Sequence, residues 1–163
     1  MKQVIELMNM TEVEIAYGMT ETSPVSFQTK VDSPMEKRVG TVGSVHPHVQ
    51  VKIIDPDSGK ICNVGEAGEL CTRGYSVMLG YWENPEGTES AIDSKGWMHT
   101  GDTAVMDQDG YVNIVGRIKD MIVRGGENIY PVEIEDFLMA HEDIEAVQAV
   151  SYTHLTLPTI YSV

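Results

Sequence analysis

Three short segments of the chain carry side chains that could bind a nucleotide and act at a phosphate. The first, residues 17–21, reads Tyr-Gly-Met-Thr-Glu. An aromatic face can stack on a base, a threonine hydroxyl can donate to a phosphate oxygen, and a glutamate can hold Mg²⁺ beside that phosphate. In isolation, however, five residues of this kind are more often a turn than a site.

The second and third segments add a carboxylate and two cations. Residues 97–102 end in Asp102 directly after a glycine, and residues 117–120 begin with Arg117 and include Lys119. The carboxylate can accept hydrogen bonds from both hydroxyls of a ribose, and the cations suit a sugar, a phosphate or a surface ion pair. Each segment alone fits a solvated loop at least as well, so any function depends on their combination.

The elements that must position these segments are mostly strands, with a few short helices. Alternating apolar and polar residues with turns between them predict strands, and capped or proline-initiated apolar stripes predict helices. The predicted strands cover residues 13–17, 49–53, 68–74, 103–106, 111–115 and 147–150. The predicted helices begin near Val4, at Pro85 and at Pro131. The predicted fold class is therefore α/β of the mixed α+β type, and its middle part is mainly β.

Five motifs, in this order and spacing, resemble the adenylate-forming, or AMP-binding, superfamily over residues 4–150. They lie at residues 17–21, 68–74, 81–82, 96–102 and 116–131. The first and the last are most similar to fatty acyl-CoA synthetases, particularly those for medium-chain acids. The resemblance implies the β-rich end of a large nucleotide-binding domain over residues 1–116, a hinge at 117–120, and the start of a small α+β lid domain over 121–150.

The same resemblance implies a two-step ligase reaction that uses ATP, Mg²⁺ and CoA. The oxygen of a fatty or other carboxylic acid attacks the α-phosphate of ATP, which yields acyl-AMP and pyrophosphate, and CoA then displaces AMP. The implied residue roles are adenine stacking by Tyr17 beside Gly18 and Met19, α-phosphate binding by Thr20, Mg²⁺ ligation by Glu21, ribose binding by Asp102 and Arg117, hinge motion at Lys119, and a pantetheine tunnel lined by Gly125 and Gly126.

Other functions within the superfamily stay open as alternatives. An adenylation domain of a peptide synthetase passes its acyl group to a carrier protein, and a luciferase-like oxygenase shares the scaffold. A module that binds AMP without catalysis is a third alternative, although the presence of both Glu21 and Lys119 argues against it. The residues that make up the motifs favour CoA as the acceptor of the acyl group.

Three parts of a complete ligase have no counterpart in the sequence. A phosphate-binding loop rich in Gly, Ser and Thr should precede Tyr17, most of the acid pocket should lie outside the sequence, and a lysine should end the lid. Residues 151–163 instead contain no Asp, Glu, Lys or Arg, and we interpret them as a foreign or misread end. We therefore expect a truncated piece of an active ligase that is inactive by itself.

The composition narrows the partners and the compartment. The 25 acidic and 11 basic residues give a net charge of −14, which is the opposite of the basic surface typical of nucleic-acid binding. No apolar run is long enough to span a bilayer and no signal peptide is recognisable, so we expect a cytoplasmic protein without a membrane segment. Cys62 and Cys71 lack the spacing of a zinc site or a disulfide framework, so we expect them to be buried side chains.

Overall fold

The structure is a computed structural model that describes residues 2–124 and 127–150. Contacts within it divide the chain into two compact units, Met1–Ile118 and Lys119–Val163. The division falls inside residues 117–120, where the sequence predicts a hinge. The hinge motion itself stays a prediction.

The first unit contains three short helices and seven strands among its described residues. The helices are α1 (Lys2–Met8), α2 (Met35–Gly40) and α3 (Pro85–Ala91). The strands are β1 (Ala16–Gly18), β2 (Val25–Gln28), β3 (Ser44–Val45), β4 (Val49–Ile54), β5 (Gly68–Gly74), β6 (Met98–Met106) and β7 (Val112–Arg117). This mixture of helices and strands confirms the predicted α+β class.

These strands form two antiparallel sheets. Strands β1, β2 and β3 pair in that order in one sheet, and β4, β5, β6 and β7 pair in that order in the other. The core is a cluster of buried apolar side chains: Phe27, Ile53, Leu70, Ala104 and Val112. Because Phe27 comes from the first sheet and the others from the second, burial of apolar surface holds the two sheets together.

Local hydrogen bonds explain where the β6–β7 hairpin turns and where α3 begins. The Oδ1 atom of Asp107 accepts hydrogen bonds from the backbone N–H groups of Asp109 and Tyr111, both at 2.9 Å. The helix α3 begins after Asn84, whose side chain accepts the N–H of Gly87 at 2.8 Å. Both predicted elements are confirmed. They could be predicted because their turn and cap residues bond to backbone groups only a few positions away in the sequence.

The second unit contains a hairpin and a helix. Strands β8 (Ile122–Arg124) and β9 (Glu127–Ile129) pair antiparallel, and α4 (Pro131–Met139) follows them. Pro131 stands in the first turn of α4, where its missing N–H leaves no helical hydrogen bond unmade. The predicted helix is confirmed, whereas the hairpin before it was not predicted. Among the residues described in the two units, no helix combines the length and the apolar character needed to cross a membrane.

The strand predicted over residues 13–17 is shorter than expected and begins only at Ala16. Side chains take two of the hydrogen bonds of the preceding backbone, although the carbonyl of Ile15 still accepts the backbone N–H of Thr29 at 2.9 Å. The N–H of Ile15 donates to the hydroxyl of Thr29 at 2.8 Å. The carbonyl of Val13 accepts a hydrogen bond from the guanidinium of Arg38 at 2.7 Å. These side-chain bonds replace part of the strand pairing, and alternation alone does not reveal them.

The strand predicted over residues 147–150 is absent from the described part of the second unit. The N–H of Ala149 donates instead to Oε1 of Glu135 on α4 at 2.8 Å.

Three elements of the first unit, β2, β3 and α2, were not predicted. In β2 the adjacent residues Ser26 and Phe27 are both buried, so the strand lacks the alternation that marks a half-exposed strand.

Candidate nucleotide site

Three of the residues predicted to bind the nucleotide meet between the two sheets of the first unit. The hydroxyl of Tyr17 on β1 donates a hydrogen bond to Oδ2 of Asp102 on β6 at 2.6 Å. The Nε atom of Arg117 on β7 lies 3.3 Å from Oδ1 of the same carboxylate. Asp102 and Arg117 are directly paired in the register of β6 and β7. A phenol, a carboxylate and a guanidinium are thus brought together from three strands.

Hydrogen bonds to β5 hold the bulged part of β6, residues 100–102, that presents Asp102. The hydroxyl of Thr100 donates to the carbonyl of Leu70 at 2.7 Å and accepts the N–H of Asp102 at 3.1 Å. The N–H of Gly101 donates to Oε1 of Glu69 at 3.2 Å. Gly101 has a φ of +71°, where a side chain would be strained. The carboxylate therefore projects from a backbone that is held on both sides.

The surroundings of Tyr17 keep its hydroxyl protonated. Its ring packs edge-to-face on Phe27, with 6.0 Å between the ring centroids and 63° between the ring planes. Burial raises the pKa of Tyr17, and the hydrogen bond to Asp102 raises this pKa further, because that carboxylate would repel a phenolate. Tyr17 is thus a hydrogen-bond donor at neutral pH that orients Asp102. Its stacking on adenine stays a prediction.

The backbone turns sharply after Tyr17, and Gly18 is required there. A Cβ atom at Gly18 would lie 1.6 Å from the carbonyl oxygen of Pro24. The N–H of Met19 donates to the same carbonyl at 2.9 Å, and the buried hydroxyl of Thr22 also donates to it at 2.6 Å. Gly18 and Met19 therefore shape the turn, while their contact with a nucleotide stays a prediction.

Thr20 and Glu21 lie on a short 3₁₀ turn, Thr20–Thr22, directly after this bend. The side chain of Thr20 is exposed, and Oε1 of Glu21 accepts the hydroxyl of Tyr81 at 2.9 Å. This hydrogen bond raises the pKa of Tyr81. Carboxylate oxygens are the ligands that Mg²⁺ prefers, and a carboxylate with about four lone-pair sites still accepts a cation after one hydrogen bond. Glu21 therefore fits the role of a Mg²⁺ ligand.

The three remaining predicted residues belong to the second unit. Lys119 is exposed and lies on the 3₁₀ turn Ile118–Asp120. Gly125 and Gly126 lie outside the described residues. The hinge and tunnel roles of these residues stay predictions.

Sequence reasoning missed two residues that support the site, Glu69 and Thr100. Glu69 is only 9% exposed, and its Oε2 atom lies 2.8 Å from Nδ1 of His99 while its Oε1 atom holds Gly101. A carboxylate between apolar residues of a predicted strand was the available signal, because a buried charge nearly always has a partner. The role of Thr100 depends on a carbonyl of another strand, which the sequence does not reveal.

The arrangement suits the sugar of a nucleotide. A carboxylate offers about four lone-pair sites, and Tyr17 and Arg117 occupy two of those on Asp102, so two hydroxyl groups can still donate to it. The side chain of Asp102 is 14% exposed and that of Arg117 is 73% exposed, so the guanidinium can contact a ligand while the carboxylate stays in place. This geometry fits AMP or ATP.

Comparison with known proteins identifies the family. The family model described as AMP-binding enzyme matches residues 1–82 of the chain. A putative acyl-CoA synthetase of Bacillus subtilis (strain 168) is 53% identical over 150 residues, which are 92% of this chain and 27% of that protein. The mitochondrial medium-chain acyl-CoA ligase of Bos taurus is 48% identical over 149 residues, which are 91% of this chain and 24% of that protein.

A solved structure has the same fold and holds a reaction intermediate. The o-succinylbenzoate CoA synthetase of Bacillus subtilis, in complex with its acyl-adenylate, superposes with a TM-score of 0.78 at 30% identity. The match covers 88% of this chain and 29% of that one. The chain thus spans about a quarter of the length of the curated relatives that it matches.

Proposed function

The chain belongs to the family of AMP-binding enzymes, and from that premise we propose that it is a segment of an ATP-dependent ligase that joins a fatty acid to CoA. The observation that carries the proposal is the convergence of Tyr17, Asp102 and Arg117. The names of the two curated relatives, an acyl-CoA synthetase and a medium-chain acyl-CoA ligase, support the choice of acid and acceptor.

In the first half-reaction, this segment would hold the nucleotide. Asp102 accepts hydrogen bonds from both ribose hydroxyls, Arg117 contacts the same sugar, and Tyr17 lies against the adenine. An acid oxygen then attacks the α-phosphorus, the bond to the bridging oxygen breaks, and pyrophosphate leaves. Because the sugar is fixed before the acid arrives, the segment lowers the entropic cost of aligning the two reactants.

The turn after β1 would act on the phosphates. The hydroxyl of Thr20 donates to an oxygen of the α-phosphate, where negative charge accumulates during attack. Mg²⁺, when bound, neutralises charge on the phosphates. Glu21 would hold this ion, and Tyr81 keeps the Glu21 side chain directed across the turn until the ion binds.

In the second half-reaction, the thiolate of CoA attacks the acyl carbonyl and AMP leaves with the bonding electrons. We propose that the chain rotates at Lys119 between the two half-reactions, and that Gly125 and Gly126 line the path of the thiol. In a complete homologue, replacement of Lys119 by proline should therefore leave adenylation intact and strongly slow thioester formation. Equal loss of both half-reactions would argue against a hinge at this residue.

A grafted ligase tests the function of this segment directly. In this chimera, the matching residues of the Bos taurus medium-chain ligase are replaced by the corresponding residues of this chain. We expect ATP–pyrophosphate exchange that depends on a medium-chain fatty acid, and acyl-CoA formation detected by mass spectrometry. The intact ligase is the positive control, and Asp102→Asn in the chimera should weaken exchange.

The same assay separates the alternatives. A chimera that folds and forms acyl-AMP but transfers nothing to CoA would favour a peptide-synthetase or a luciferase-like origin, and transfer to a carrier protein or light emission would distinguish these two. A folded chimera that binds AMP without exchange would favour a non-catalytic module. Acyl-CoA formation excludes all three.

The compartment belongs to the proposal as well. We propose a cytoplasmic location, as the sequence predicts, whereas the name of the Bos taurus relative places that protein in mitochondria. Fractionation of cells that produce the complete protein distinguishes the two compartments.

A further inference from the structure

Three side chains with different metal-binding atoms meet on the face of the four-stranded sheet opposite the core. Glu69 and Cys71 lie two residues apart on β5, so they point to the same face, and His99 on β6 pairs with Cys71 in register. The Nδ1 atom of His99 lies 2.8 Å from Oε2 of Glu69 and 3.6 Å from Sγ of Cys71. One oxygen, one sulfur and one nitrogen atom all lie within 4.8 Å of one another.

These separations are close to those around a tetrahedral zinc ion. Ligand bonds of about 2.0–2.3 Å at tetrahedral angles put neighbouring ligand atoms about 3.3–3.6 Å apart. The sulfur–nitrogen separation of 3.6 Å already has this value. The oxygen–nitrogen separation of 2.8 Å is that of a hydrogen bond and must widen by about half an ångström when an ion replaces the shared proton.

The cluster is enclosed on one side and accessible on the other. Cys71 is fully buried and Glu69 is 9% exposed, whereas the side chain of His99 is 30% exposed. The two β5 ligands are therefore held rigidly, and an ion can enter past the imidazole. A water molecule from the same side can complete the coordination, as in zinc sites with three protein ligands.

Two nearby cations do not occupy the cluster. The Nζ atom of Lys52, across from Cys71 on β4, lies 4.5 Å from the centre of the Trp97 ring, and the guanidinium of Arg73 lies 4.5 Å from the same ring. Both charges are thus stabilised by the indole. A thiolate and a carboxylate supply two negative charges, which match the charge of one divalent ion.

We propose that Glu69, Cys71 and His99 bind one zinc ion. A thiolate, an imidazole and a carboxylate form a donor set that favours zinc over magnesium or calcium, which prefer oxygen ligands alone. On binding, the thiol proton passes to solvent, and the imidazole proton of His99 moves from Nδ1 to Nε2, so that a neutral imidazole would bind the ion through Nδ1. This zinc site is separate from the Mg²⁺ site proposed at Glu21, and zinc binding does not depend on the ligase activity.

Zinc at this cluster would stabilise the bulged part of β6 that carries Asp102. Glu69 faces His99 through Oε2 and accepts the N–H of Gly101 through Oε1. It can therefore bind the ion through one oxygen and hold Gly101 through the other. The ion would also join β5 to β6 through side chains, in addition to their backbone pairing. The sequence does not predict this site, because the ligands on β5 are separated from His99 by 28 and 30 residues.

Titration with Co²⁺ and Zn²⁺ tests the site on the 163-residue chain, purified with a reductant and freed of metal by chelation. Co²⁺ should bind with a stoichiometry of one and produce the absorption of a cobalt–thiolate bond, and Zn²⁺ should abolish this absorption by displacement. Cys71→Ser should remove the absorption, while the matched variant Cys62→Ser should keep it. Glu69→Gln and His99→Gln should each weaken binding at least tenfold.

Circular dichroism of each variant before titration separates loss of the site from loss of the fold. The proposal is wrong if the folded chain shows no cobalt–thiolate absorption at equimolar metal, or if the absorption follows Cys62 instead of Cys71. If Cys71→Ser does not fold, unchanged affinity in a folded His99→Gln variant also overturns it. No nucleotide or acid is present in the assay, so its failure leaves the proposed ligase function untouched.

Discussion

The bulged part of β6 that presents Asp102 and the turn that carries Thr20 and Glu21 differ in how they are held. The Asp102 side chain is 14% exposed, contacts Tyr17 and Arg117, and follows a backbone bonded to β5 through Thr100. Such a site is formed before any ligand arrives, because its residues belong to paired strands.

The turn has weaker support on its ligand side. Glu21 is held by the hydroxyl of Tyr81, a residue that is itself 40% exposed, and the neighbouring side chains Leu79 and Trp82 are 104% and 90% exposed. An exposed hydrogen bond of this kind contributes little to stability. The comparison indicates that the proposed ribose site is preorganised within the segment, whereas the proposed phosphate and Mg²⁺ sites need further parts of the protein or the ligand itself to hold them.

The largest effect should come from Gly18→Ala, because this residue joins the two regions. The added Cβ would lie 1.6 Å from the Pro24 carbonyl oxygen, so the backbone must move. We expect the free energy of unfolding to fall by about 3 kcal/mol, measured by urea denaturation. The matched control is Gly40→Ala at the end of α2, whose Cβ meets nothing within 4 Å and should change stability by less than about 1 kcal/mol. Equal effects of the two variants would contradict the assigned role of Gly18.

The next effect concerns the preorganised region. In the grafted ligase, Asp102→Asn should raise the KM for ATP by about 10- to 100-fold, because a charged hydrogen bond contributes about 1.5–3 kcal/mol. The fold should persist, since the amide oxygen can still accept from Tyr17. Asp57→Asn, in the exposed turn between β4 and β5, is the control and should leave the KM unchanged. An unchanged KM in Asp102→Asn would remove the ribose assignment.

A smaller effect should follow from Thr100→Val, which keeps the shape of the side chain but removes its hydroxyl. The carbonyl of Leu70 and the N–H of Asp102 both lose a partner, so the bulged part of β6 should become less well held. We expect the KM for ATP to rise by up to about tenfold with little change in kcat. Thr100→Ser should restore most of the affinity. If the Thr100→Val variant has the same KM for ATP as the chimera with Thr100, the bulged part of β6 is not held through this hydroxyl.

The smallest effect compares the two tyrosines by titration. The pKa of Tyr17 is raised mainly by burial, whereas the pKa of Tyr81 is raised mainly by its hydrogen bond to Glu21. Glu21→Gln should therefore lower the pKa of Tyr81 towards its ordinary value and leave that of Tyr17 raised. An NMR titration follows the signals of Tyr17 and Tyr81. The signal that is lost in the Tyr81→Phe variant belongs to Tyr81. A shift of Tyr17 to the same extent would mean that the two regions are coupled.

Much of the fold and the chemical class of the site could be predicted from the sequence because the relevant signals are local. Asn84 caps α3 within three residues, Asp107 closes a hairpin within four, and Pro131 marks the start of α4. The motifs at 17–21 and 97–102 carry the family resemblance in their residue types alone. These features depend on neighbours in sequence, so no knowledge of the tertiary structure is needed to find them.

Other features were decided only by the tertiary structure, because they join residues that are far apart in the chain. Tyr17 reaches Asp102 across 85 residues, and Tyr81 reaches Glu21 across 60. The strand expected over 13–17 was shortened by hydrogen bonds from distant side chains. Strand register brings such groups to within hydrogen-bond distance, and register follows from packing of the whole sheet. The sequence by itself thus determined which groups we propose to bind the nucleotide, and the packed sheets determined which side chains hold those groups in place.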